Sequence, residues 1–215
     1  MPVTYRQIAG ISLGRLAALS DGIFAVAMTL LVLGLSVQVI PALQHSASPE
    51  EGQLWHQVLR PLVPHLVTYL MSFLTLGVFW VGQQTQLHHL RRSTRDLTWV
   101  HLVFLLFVVL MPFSTTLVAD YIRYQLAIFV YWLNIALLGA SLYAGQRFSR
   151  RPRLLKDHVT DATIAAVERR ILVNQVLYAV GALLSLASTY ASIGFILAVQ
   201  LNSAISPRIW PLDRF

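Results

Sequence analysis

Three residues near the start of the chain have the types needed to handle a proton or a cation: Arg15, Ser20 and Asp21. They open the stretch GRLAALSDGIFAVAMTLLVLGLSVQ, residues 14–38, and after Asp21 no charged residue follows until Glu50. Arg15 and Asp21 stand neither three nor four positions apart, so they are not neighbours on one helix face. Each therefore needs a partner on another element. His101 and the polar run from Trp80 to His89 lie at comparable depth and can supply one. Two chemistries stay open. An ionisable group inside a membrane is costly and carries a role by default, so Asp21 can be a proton relay or a cation site. It can equally be the acceptor of a satisfied hydrogen-bond knot, shared with the Ser20 hydroxyl, that ties its segment to two others.

Other chemistries find little support. The chain has no cysteine, so it holds no disulfide and no thiolate metal site. His45, His56 and His65 lack the carboxylate or cysteine spacing of a metal centre, and the adjacent His88 and His89 point different ways. No phosphate-binding glycine loop and no Gly-x-Ser-x-Gly nucleophile turn occur. A Thr-Val-Gly-Tyr-Gly carbonyl filter and an arginine-rich span are also missing. Nothing catalytic emerges, so an enzyme is not expected, and no cofactor is implied.

The elements that must position these residues follow from composition. Only 12% of the 215 residues are charged and 56% are hydrophobic, against about 25% charged in a soluble domain. Charge-free runs cover 22–49, 61–90, 97–119, 124–146 and 171–207. The first four each suffice for one bilayer crossing, which takes roughly 20 apolar residues. The last is too long for one and suits two short ones, with its weakest apolar point between Ser185 and Gly194. The expectation is an all-α, polytopic membrane protein: one domain over 1–215 with six spans at about 12–39, 61–89, 97–118, 122–146, 166–187 and 190–206. One long tilted helix with an interfacial tail is the alternative for the last run. Pro41 should end the first span, Ser48-Pro49-Glu50-Glu51 reads as a helix start, and Pro112 should kink the third span. Trp210 should mark the inner interface.

The net charge of +7 is an orientation signal more than a nucleic-acid patch. With six spans, fourteen of the sixteen Lys and Arg residues fall on one side and only Arg60 and Arg123 on the other, which puts both termini in the cytoplasm. The first apolar stretch is too long for a cleavable signal peptide.

On a helix, Ile23, Ala27, Leu30 and Gly34 share one stripe of the first span, and Val26, Thr29 and Leu33 share the next. Gly14, Ala17, Ala18, Gly22 and Ala25 permit close helix approach. These residues either pack inside the subunit or line a pore whose apolar rings form its narrowest point, as in channels gated by dewetting.

The order Arg15, three residues, Leu19-Ser20-Asp21-Gly22, then Ile23-Phe24-Ala25-Val26-Ala27-Met28-Thr29-Leu30-Leu31-Val32-Leu33 resembles the first-helix signature of the transmembrane protein 175 family. Leu19 replaces the phenylalanine of that signature. Phe79-Trp80 resembles the aromatic pair of the family's second span, with Gln83 where a histidine often follows, and His101 with Leu110-Met111-Pro112-Phe113 resembles the third. The resemblance implies a potassium channel of the single-repeat prokaryotic kind, a homotetramer in a plasma membrane with a central pore lined by the first helix. Ile23 and Leu30 are then the main constriction and selectivity residues, with Ala27, Val26, Thr29 and Leu33 beside them. Arg15, Ser20, Asp21, Trp80 and His101 become a structural hydrogen-bond network. The expected partners are other copies of the chain, lipid and monovalent cations, with potassium, rubidium and caesium passing and sodium leaking; no nucleic acid and no bound metal are expected. The rivals are a proton-coupled transporter using Asp21 and a non-conducting membrane scaffold.

Overall fold

The computed structural model describes residues 12–35, 51–150 and 154–205. It is a bundle of helices: α1 (Leu13–Leu33), α2 (Arg60–His89), α3a (Arg95–Val109) and α3b (Met111–Asp120), α4 (Gln125–Ser149), α5 (Asp161–Leu184) and α6 (Thr189–Ile205). A helical turn at Glu51–Leu54 and a π-helical stretch at Trp55–Leu59 lead into α2. Among the described residues four helical stretches are long and apolar enough to cross a membrane: Leu13–Leu33, Glu51–His89, Arg95–Asp120 and Gln125–Ser149. The 17-residue α6 is apolar but shorter. The early turns of α5 carry Asp161, Glu168, Arg169 and Arg170, which restricts its apolar part to the second half.

The helix ends follow local chemistry. Ser12, Thr94 and Thr160 each accept a hydrogen bond from a backbone amide three residues on, at 3.4, 3.4 and 3.2 Å, so orphan donors of the first turns of α1, α3a and α5 are satisfied. Proline has no amide to offer, and the chain breaks at Leu110, so that Pro112 stands in the first turn of α3b. The expected kink in the third span is this break. Pro64 stays inside α2, where the Thr68 hydroxyl donates to its carbonyl at 3.0 Å. The first span ends earlier than expected. Leu33 is its last helical residue, and the Gly34 amide turns back onto the Leu31 and Val32 carbonyls. Pro41, His45, residues 48–50 of the helix-start signal, and Trp210 lie outside the described residues. The long last apolar run does split into two helices, between Leu184 and Thr189.

One core joins α1 to α6, with Phe24, Phe104, Tyr131, Leu138, Tyr178 and Ile196 among its buried side chains. In lipid there is no hydrophobic force between helices, so packing and interhelical hydrogen bonds must hold them. They do so through a buried polar stripe on α2. Ser72 and Thr75 meet the Tyr131 hydroxyl of α4 at 3.3 and 3.0 Å, Thr115 of α3b donates to Ser72 at 2.6 Å, and Gln200 of α6 donates to Thr75. About three turns beyond Thr75, Gln86 donates to Gln146 of α4 at 3.2 Å. A short antiparallel bridge between Leu90 and Leu155 fastens the α2–α3a connection to the α4–α5 connection.

Candidate functional site

The helix that carries the charged motif is covered on one flank only. α1 packs against α2 and both parts of α3, burying Leu16, Ser20, Phe24, Ala27 and Leu31. Those residues recur at three- and four-residue steps, the spacing of one helix face. The opposite flank is bare: Leu19, Gly22, Val26, Thr29 and Leu33 are exposed.

The rotation of α1 is set by its polar residues. The Ser20 hydroxyl donates to its own helix at Leu16 and accepts from the Gln83 amide nitrogen at 3.0 Å. One oxygen of Asp21 accepts from the Trp80 indole at 2.9 Å and from the Gln84 amide nitrogen at 2.7 Å. Trp80, Gln83 and Gln84 sit at i, i+3 and i+4 on α2 and so present one face. Asp21 is thus held as a hydrogen-bond acceptor at the α1–α2 seam. The polar run Trp80 to His89 signalled α2 as the source of partners; Gln83 and Gln84 emerged as the particular donors only from the geometry.

Two members of the expected network stand apart. The ring Nδ1 of His101 donates to the Leu97 carbonyl of its own helix at 2.9 Å, and the ring lies beside Gln86, Ser141 and Gly145 of α2 and α4. It does not reach Asp21. Arg15 is exposed, and its side chain makes no hydrogen bond or ion pair with Ser20 or Asp21 among the described residues.

The residues of the expected stripe are not equally exposed. Ala27 is 1% exposed and belongs to the core, and Ile23 is half-buried against that core. The large apolar side chains of α1 left exposed are Leu19, Val26, Leu30, Val32 and Leu33, and Val26, Leu30 and Leu33, at 57, 41 and 72% exposure, share one flank. A shallow groove of about 380 Å³ on this flank is lined by Leu19, Gly22, Ile23, Val26, Ala27 and Leu30, with Val109 of α3a beside them. At the other end of α1, Leu30, Leu33 and Gly34 border a wider cavity of about 620 Å³. In its wall His65 of α2 meets Asp120 of α3b at 3.0 Å. No group of three or more His, Cys, Asp or Glu suited to a metal exists among the described residues.

Comparison with known proteins matches this arrangement to one family. The family model described as endosomal/lysosomal potassium channel TMEM175 matches residues 15–112. A potassium channel of Chamaesiphon minutus is 30% identical over 194 residues, covering 86% of this chain and 91% of that one. A potassium channel of Streptomyces collinus is 34% identical over 110 residues, where the alignment spans 51% of this chain and 49% of the relative. The cattle relative named endosomal/lysosomal proton channel TMEM175 is 30% identical over 100 residues, 21% of its length. The crystal structure of a lysosomal potassium-selective channel TMEM175 homolog from Chamaesiphon minutus superposes with a TM-score of 0.76 at 24% identity, covering 90% of this chain and 96% of that one. At that identity the superposition establishes the fold.

Proposed function

The chain belongs to the TMEM175 family, and on that premise we propose that it is a potassium-permeable cation channel, a homotetramer whose four α1 helices line a central pore. The observation that carries this reading is the bare flank of α1. A helix anchored by Ser20 and Asp21 on one side presents Val26, Leu30 and Leu33 on the other, spread over about 10 Å of axis. Four copies would stack these side chains into apolar rings, which form the constriction and the selectivity filter, with Thr29 between them and Ile23 at the seam with the neighbouring copy. A ring of methyl groups offers no ligand to replace water, so an ion must pass partly dehydrated. Potassium sheds its water more cheaply than sodium, and larger rubidium and caesium ions follow potassium. Narrow apolar rings also close by dewetting.

In this reading residues 1–215 form one channel domain crossing the membrane six times, with α5 and α6 supplying the two crossings beyond the four long apolar stretches. The basic loops then put both termini in the cytoplasm of a prokaryotic cell. No cofactor takes part; the partners are other copies of the chain, lipid and the permeating cations.

The test is potassium flux through purified protein in liposomes under a potassium gradient. Flux of potassium, rubidium and caesium above that of sodium is expected. No flux from a folded tetramer would remove the channel reading.

A further inference from the structure

A second groove, of about 430 Å³, opens between α2, α5 and α6. Its chemistry is graded along its length. Phe73, Gly77 and Val78 of α2 line one end, and Thr85, Arg170 and Ser203 line the other. Phe73 and Thr85 are separated by about 18 Å along α2. Arg170 is exposed and is the charged residue of the lining. Tyr178 forms part of the wall, and its buried hydroxyl has no hydrogen-bond partner among the described residues.

An occupant of this groove must be apolar over most of its length and anionic at one end. A phospholipid with one acyl chain in the groove has that form. We propose that the groove seats an anionic phospholipid, its headgroup phosphate on Arg170 and its chain lying toward Gly77 and Phe73. Basic pockets between membrane helices hold such headgroups, and arginine matches a phosphate with two parallel donors. Phosphatidylcholine carries the same phosphate beside a compensating cation, so it binds more weakly at a single arginine. The proposal rests on α5 and α6 being crossings, but not on where potassium passes. Potassium flux measured on the same preparations therefore separates its failure from failure of the pore reading.

The full-length protein in detergent is titrated with phosphatidylglycerol or phosphatidylcholine of matched chains, and retained lipid is read by native mass spectrometry. Phosphatidylglycerol should be retained at lower concentration than phosphatidylcholine, and Arg170→Gln should weaken its retention about fivefold. Arg169→Gln, one position away and outside the groove lining, should leave retention unchanged. Gly77→Phe should displace both lipids, since a Cβ at Gly77 meets nothing within 4 Å and the ring enters the groove. Equal retention of the two lipids by the wild type, or an equal loss from Arg169→Gln and Arg170→Gln, overturns the proposal. So does a folded wild type that retains neither lipid.

Discussion

Asp21 takes both of its interhelical hydrogen bonds on a single oxygen, from Trp80 at 2.9 Å and Gln84 at 2.7 Å. The second carboxylate oxygen is not needed for the seam between α1 and α2. An asparagine keeps the oxygen that accepts and discards the charge.

Asp21→Asn should therefore assemble and conduct potassium within about twofold of the wild type, since the neutral bond is weaker by only about 1 kcal/mol. A transporter that carries protons on Asp21 would lose its flux in the same variant. Asp21→Ala, which strands both donors, should lower stability by about 1–3 kcal/mol. Flux in liposomes and the midpoint of thermal unfolding in detergent separate the three outcomes.

The two flanks of α1 should answer differently to substitution. Val26→Asn and Leu33→Asn place polar groups on the bare flank, where nothing in the protomer is disturbed. They should alter conductance or the potassium-to-sodium ratio while leaving the unfolding midpoint in place. Ala27→Leu adds volume to a packed core and should cost about 1–3 kcal/mol. Unchanged ion flux in both asparagine variants would favour the non-conducting scaffold.

Arg150 at the end of α4 forks onto Glu168 of α5, with donors at 2.9 and 2.8 Å from the two carboxylate oxygens. The Glu168 side chain is 10% exposed and that of Arg150 39%. Glu168→Gln leaves half of the fork and should cost about 1–2 kcal/mol, less than a fully buried pair because Arg150 is open to solvent. Arg150→Lys should cost nearly as much, because an ammonium cannot reproduce the planar fork. Urea unfolding in detergent, followed by the release of α5, reads both.

Gly181 marks a close approach of α5 to α6. A Cβ there would stand 2.7 Å from the Ile196 Cγ1, and the Ser192 hydroxyl donates to the Gly181 carbonyl at 2.6 Å. Gly181→Leu should separate the two helices and lower the yield of folded protein. Gly194→Leu, at an open position on α6, should not. Size-exclusion profiles of the two variants make the comparison.

Much of the bundle can be read from where charges are missing. Among the described residues the charge-free runs are largely helical, the third in two parts and the last as two helices, because a charge in hydrocarbon is costly. The last run parted at Ser185, within the stretch from Ser185 to Gly194 where apolar character is lowest. The end of α1 was harder to place. Apolar residues continue beyond Leu33, so hydropathy shows no boundary where the helix ends at Gly34. His101 misled for a related reason. Its depth matched that of Asp21, but depth along a helix says nothing about which side the ring faces.

Residue types and spacing alone determined the all-α class and the order of the apolar stretches, the need of Asp21 for a partner on another element, and α2 as a source of donors. The tertiary structure decided which donors reach that carboxylate and which flank of α1 is left bare. The reason is physical: α1 is apolar around nearly its whole circumference, so no contrast between oily and polar faces sets its rotation. Only the fit of Ala27 and Phe24 into the core, and the hydrogen bonds at Ser20 and Asp21, turn Val26, Leu30 and Leu33 outward.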